Sequence, residues 1–198
     1  MAEDHSIGGK FEDVELFGDD AATTSHASEI EPAAALIKGE AQDKQRRVEQ
    51  FLFYQSELLD SKAWQAYTDL FTDDGLYWMP VSRQQQEWLD TPSIMVEDRS
   101  LMSVRMNRML HPNAWSLAGL WETSHVIGNV IIEAEHAGET IVRSRFHMFE
   151  QRRDIARQFA GTYRHTLVEV DGVFRIKLQR VDLVNSQAPF DYVIQAWI

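Results

Sequence analysis

The last third of the chain leaves the least freedom of fold. Val126 to Ala134, Thr140 to Gln151, Arg157 to Val170 and Val173 to Asn185 are long runs rich in β-branched and aromatic residues, and they read as strands. Turn dipeptides at Ala137-Gly138 and Asp171-Gly172 join them, and connections this short force antiparallel neighbours. Between Phe174 and Leu178 the apolar residues sit on even numbers, but from Val181 to Leu183 they sit on odd ones. That change predicts a bulge near Gln179-Arg180, and a bulge in a long strand curls the sheet.

Helices come before the strands. From Asp43 the apolar residues Val48, Phe51, Leu52, Leu58 and Leu59 keep the spacing of one helical stripe about 17 residues long. Asp60-Ser61 ends it, and Ser61 is expected to cap a second helix that runs to about Phe71 with Trp64, Tyr67, Leu70 and Phe71 on one face. Asp73-Asp74-Gly75 reads as a turn and Leu76 to Val81 as a strand. A third helix is expected over Ser100 to Leu110, with Leu101, Val104, Met106 and Met109 interleaved with Arg105 and Arg108. His111-Pro112-Asn113 stops it, because the residue before a proline is pushed out of helical geometry. Helices followed by a strongly bent sheet folded over them make an α+β cone rather than a doubly wound fold.

The first 40 residues differ from the rest. They hold ten acidic and two basic residues, against 21 and 17 in the remaining 158, and scattered Phe11, Val14, Leu16 and Phe17 show no sustained period. Residues 1–40 therefore read as an acidic extension and residues 41–198 as a single α+β cone domain. The extension is either a solubilising tail or an arm whose FEDVELF segment packs on a neighbouring subunit. Glu31-Pro32 would open a short helix within it.

Composition excludes several functions. With no cysteine there are no disulfides, thiolate zinc sites, iron-sulfur ligands or cysteine nucleophiles. A net charge of -12 opposes nucleic acid and anionic lipid. No run approaches the roughly 18 apolar residues of a membrane span, and an acidic N-terminus is unlike a signal peptide, so a soluble cytoplasmic protein is expected. There is no GxSxG elbow, Gly-rich phosphate loop, GxGxxG fingerprint or closely spaced histidine pair.

A cone can enclose a pocket, so its ionisable residues need weighing. His125, His147 and His165 fall on three strands and His136 at a hairpin; with Asp69, Asp73 or Tyr67 they could move protons next to a carbonyl or in a dehydration. His147 shares a face with Arg143 and Arg145, which points it outward. His165 shares its face with Phe159, Tyr163 and Leu167, which points it inward, as a hydrogen-bonded core histidine or, with Tyr163 and Asp69, as the centre of a stand-alone isomerase, dehydratase or cyclase. A small-ligand binding module is a further alternative, unless Trp64, Phe71 and Trp78 fill the cavity. The arginines of the strand region, among them Arg143, Arg145, Arg164 and Arg180, are either a solvated outer face or a subunit interface. The apolar end PFDYVIQAWI must pack against something, and a subunit interface would supply it.

The order and spacing of several strings then resemble a known family. FLFYQSELLD followed by LFTDDGLYWMPVSR, then EDRSLMSVRMNRMLHPNAWS, SHVIGNVII, VRSRFHMFEQRR and FAGTYRHTLVEVDGVFRIKLQRVDLVNS are similar to the small, or beta, subunit of bacterial aromatic ring-hydroxylating dioxygenases over about Gln45 to Ile198. The string LWETS before His125 departs from the proline- and arginine-containing loop of many relatives. The resemblance implies a cone of the nuclear transport factor 2-like kind and a structural, non-catalytic subunit of an aromatic-catabolic oxidoreductase. It implies an α3β3 hexamer with beta-beta trimer contacts, in which the large alpha subunit carries a Rieske 2Fe-2S cluster and mononuclear Fe(II). Ferredoxin and reductase would act through alpha, leaving no cofactor, metal or catalytic residue on this chain.

Overall fold

The computed structural model describes residues 44–114, 121–190 and 193–198. The acidic extension, its FEDVELF segment and the helix expected at Glu31-Pro32 lie outside the described residues.

Helix α1 spans Lys44–Asp60 and buries Val48, Phe51, Leu52, Leu58 and Leu59, the stripe read from the sequence. Side chains of this size each contribute roughly 1.5–3 kcal/mol when fully buried. Helix α2 is shorter than expected, at Trp64–Thr68. Ser61 does not cap it; its hydroxyl donates to the Glu57 carbonyl at 2.6 Å and so closes α1 instead. Lys62 takes a positive φ of 59° and Ala63 stands at the N-cap without a side-chain bond.

Phe71 already belongs to strand β1, Phe71–Pro80. The expected turn at Asp73-Asp74-Gly75 is an irregularity inside that strand: its pairing with the last strand jumps from Phe71 opposite Ile176 to Leu76 opposite Leu178. Strand β2, Ser93–Asp98, is absent from the sequence reading and pairs antiparallel with β1. Asp98 ends β2 and caps helix α3, Arg99–Leu110, accepting the Leu101 N–H at 2.9 Å. His111 leaves the helix in extended geometry ahead of Pro112, as expected. Within α3 only Met102 is wholly buried; Met106 and Met109 pack partly buried against the core, while Leu101, Val104 and Leu110 are exposed, so only part of the expected apolar stripe faces the core.

Strands β3 (Trp121–His136), β4 (Glu139–Arg152), β5 (Ile155–Val170) and β6 (Val173–Leu183) complete one mixed sheet in the order β2-β1-β6-β5-β4-β3. β1 and β6 run parallel and every other pair is antiparallel. In the β3–β4 and β5–β6 hairpins Ala137-Gly138 and Asp171-Gly172 all take positive φ. That is the mirror-image turn whose twist matches the flanking strands, and glycine at its second position adopts it without strain. The bulge in β6 falls at Lys177, where the partner of Thr166 is Leu178 but that of Leu167 is Ile176. It lies two residues before the expected place, because the first inward residue after it is the polar Gln179, invisible to a count of apolar positions.

The sheet is open at both edges and curls over α1 and α2. Phe51 meets Phe174 edge to face at 6.0 Å, Trp64 stacks on Trp121 at 5.9 Å and Tyr67 meets Phe71 at 5.6 Å.

Candidate functional site

Inside the cone, neighbouring strands bring polar side chains into rows. Val142, His165 and Gln179 stand side by side on β4, β5 and β6, and Ser144, Tyr163 and Val181 form the next row. His165 and Tyr163 are each 1% exposed, so the inward orientation expected of both is observed. Burial holds the His165 imidazole down to about 3, which keeps it neutral. Neither ring nitrogen has a partner in the structure, so the expected hydrogen-bonded core histidine is buried without hydrogen bonds. Tyr163 stacks on Phe146 at 4.1 Å, and burial pushes its phenol well above the usual range.

Asp69 does not join them. It is exposed and accepts from Gln65 at 2.9 Å and Arg99 at 3.4 Å, outside the cone. Asp73 is exposed as well. Tyr67 is buried and donates to Gln179 Oε1 at 3.0 Å, and burial raises its phenol far up. His165 thus lacks a carboxylate to orient it or to raise its basicity, and the proposed centre of His165, Tyr163 and Asp69 is not assembled.

The histidine that has a carboxylate is His125. Its Nδ1 lies 2.6 Å from Asp60 Oδ1, its backbone N–H donates to Asp60 Oδ2 at 2.8 Å, and Thr123 Oγ1 donates to Oδ1 at 2.8 Å. Burial pushes the Asp60 carboxyl up, but the bonds and charge from His125, with Thr123, outweigh it and the net direction is down. Asp60 ends α1 and His125 lies on β3, 65 residues away, a pairing that no local spacing announces. Its geometry ties the end of a helix to an edge strand.

The cone is plugged by the chain itself. Trp197 and Ile198 are each 1% exposed, and the Trp197 ring packs on Tyr67 at 5.1 Å and Trp64 at 6.0 Å. Trp197 Nε1 donates to Glu97 Oε2 at 3.0 Å; Arg105 Nε donates to Glu97 Oε1 at 2.7 Å and its Nη1 to the Gln195 carbonyl at 3.0 Å. Tyr77 and Ile198 exchange bonds near 3.3 Å. Tyr192 lies outside the described residues and Val193 is exposed, but Trp197 and Ile198 are buried in their own cone rather than held ready for a subunit interface. Trp64 and Phe71 fill the interior as expected. Trp78 does not: it lies on the outer face, with the Arg180 guanidinium 4.4 Å above its ring and Trp88 beside it.

On that outer face Arg180 is held by Asp182 at 2.8 Å and by the carbonyls of Gln85 and Arg83. His147 is exposed there with Arg145, as its parity predicts. Among the described residues no three His, Asp or Glu come together to hold a metal ion. Lacking cysteine, the chain cannot supply the two thiolates of a Rieske cluster. No described helix is long and apolar enough to cross a membrane.

Comparison with known proteins places this geometry. The model of the ring hydroxylating beta subunit family matches residues 55–189. The anthranilate 1,2-dioxygenase small subunit of Acinetobacter baylyi is 29% identical over 145 residues, covering 71% of this chain and 89% of that subunit. The beta subunit of benzoate 1,2-dioxygenase from Burkholderia mallei superposes with a TM-score of 0.63 at 26% identity, covering 79% of this chain and 100% of that one. A Novosphingobium aromaticivorans structure assigned as a scytalone dehydratase shares the cone fold at a TM-score of 0.54 and 19% identity, covering 71% and 84%.

Proposed function

The chain belongs to the ring hydroxylating beta subunit family, and on that premise we propose that it is the structural partner of a catalytic large subunit in an aromatic ring-hydroxylating dioxygenase. The single observation that carries this reading is the family match across residues 55–189, which spans every element from the end of α1 to β6. The interior supports it. The cone is filled by Trp64, Trp121 and Trp197, and His165, buried and neutral, has no carboxylate partner among the described residues, so in this reading the chemistry is left to the other subunit.

The assembly is an α3β3 hexamer with beta-beta trimer contacts, and residues 41–198 act in it as one cone domain with residues 1–40 as an extension. The alpha subunit holds the Rieske cluster and the mononuclear Fe(II), receives electrons from ferredoxin and reductase, and works in the cytoplasm. Co-expression with the large subunit, followed by light scattering and iron analysis, tests this. The expected result is a complex of about six chains whose iron travels with alpha; iron bound stoichiometrically by this chain alone, together with ring-hydroxylating activity, would overturn it.

A further inference from the structure

The outer face of β3–β6 carries a strip of unusual chemistry. Arg143, Arg164 and Arg180 face one another across β4, β5 and β6, and the next row is Arg145, Thr162 and Asp182. The third row is Val126, His147 and Ala160, with Val184 bonded to the Ala160 backbone, and the fourth is Ser124, Phe149 and Gln158. Successive rows lie two residues apart, so the strip is about 20 Å long.

One end is cationic. A hollow of about 280 Å³ is lined by Arg83, Arg143, Arg145, Arg164, Thr162 and Asp182. Arg143 and Arg164 share Glu133 at 2.5 and 3.1 Å, and Asp182, held by Arg180, lies 3.9 Å from Arg164 Nε. Arg145 bonds only the Thr162 hydroxyl, at 2.6 Å, and neither it nor Arg83 has a carboxylate partner among the described residues. The other end is apolar: a groove of about 530 Å³ is lined by Val126, Phe149 and Val184 with His147, and those three apolar side chains are exposed.

The sequence contains the complement of both ends. Residues 11–20, FEDVELFGDD, hold five carboxylates and no cation, with Phe11, Val14, Leu16 and Phe17 among them. We propose that this segment docks on the strip of its own chain, Phe11 to Phe17 over the apolar groove and Asp19-Asp20 over the arginine hollow. Fully extended, the ten residues Phe11 to Asp20 reach about 33 Å, enough to cover the strip of about 20 Å from its apolar end to its arginine end. The connection reaches: Lys44 bonds Glu135 at 2.7 Å and Gln45 bonds the Val130 carbonyl at 3.0 Å, so α1 begins beside β3, the edge strand. The residues between 20 and 44 extend up to roughly 80 Å, while β4 and β5 lie about 5 and 10 Å from that edge. Docking neutralises the unpaired arginines and takes Val126, Phe149 and Val184 out of water. It stands independently of the oxygenase reading.

The absence of cysteine makes the test direct. Gly18→Cys and Gln84→Cys in the full chain carry spin labels, diluted with unlabelled chain, and pulsed electron resonance reads the distance between them. A single short distance is expected, lost at about 1 M salt, where screening cuts charge interactions to ~3 Å. It is also expected to be lost in Asp19→Asn/Asp20→Asn, and in Arg143→Glu/Arg145→Glu. The Asp variant leaves the described fold untouched, so misfolding cannot imitate the result. A broad distribution indifferent to salt and to both variants overturns the proposal, as does a short distance seen only between labels on different chains, which would make a second copy the occupant.

Discussion

Trp197 donates its indole N–H to Glu97 at 3.0 Å, and the same carboxylate holds Arg105 from α3, so one buried anion fastens the plug of the cone to a helix and a strand. Trp197→Ala should cost about 3–5 kcal/mol through the cavity it leaves. Trp197→Phe keeps most of the packing and loses the bond to a charged acceptor, about 1.5–3 kcal/mol. Urea unfolding of both variants checks the order; equal stability of Trp197→Ala and the parent would show that the plug contributes nothing.

His165 gives a pH dependence with a definite sign. Its imidazole titrates near 6.5 when unfolded and is held down to about 3 when folded, so the unfolded chain binds the proton first. Stability from this group is complete above pH 6.5 and falls as the pH drops towards 3, by about 2 kcal/mol at pH 5. Thermal melts from pH 8 to 5 should show a shallower slope in His165→Leu than in the parent.

The same substitution separates packing from catalysis. Assembled with its large subunit, His165→Leu should retain the ring-hydroxylating kcat and KM of the parent. A selective loss of kcat in a complex of normal stability would restore a chemical role to the buried row.

Asp60 satisfies the His125 ring, the His125 backbone and the Thr123 hydroxyl at once. Asp60→Ala strands these donors and should cost about 1–3 kcal/mol, with Asp60→Asn recovering part of it. Because the folded carboxyl titrates below its unfolded value, this contribution is present above about pH 4 and fades as the pH falls through the folded value. Hydrogen exchange at the N-terminal half of β3 is the local readout.

Gly161 sits where β5 meets β6 over the Phe146 ring. A methyl group there would lie 2.4 Å from the Asp182 carbonyl and 2.6 Å from the ring, so Gly161→Ala should destabilise the sheet by about 1–3 kcal/mol. Denaturation midpoints with unchanged m-values would confirm overpacking rather than a changed fold.

Residues with neighbours in sequence were legible. The α1 stripe, the Ala137-Gly138 and Asp171-Gly172 turns, the stop at His111 and the inward parity of His165 all follow from spacing alone. What stayed hidden depends on partners far along the chain. Ser61 looks like a cap until Glu57 claims it; Asp73-Asp74-Gly75 looks like a turn but is an irregularity within β1, skipped where the pairing with β6 jumps from Phe71 to Leu76. Trp78 has the composition of a core residue, but the pleat places it outside, under Arg180. The pairs Asp60–His125 and Glu97–Trp197 join residues 65 and 100 positions apart, and no period encodes them.

The parallel pairing of β1 with β6 also orders events at the ribosome. Tyr77 and Trp78 find their β6 neighbours only in residues made about 100 positions later, so the hairpin of β1 and β2 emerges with one flank unpaired and must wait. During that interval an aromatic edge is open to other nascent chains. A helper that shields it, or slow handling at low temperature, should raise soluble yield more than any substitution that stabilises the finished subunit.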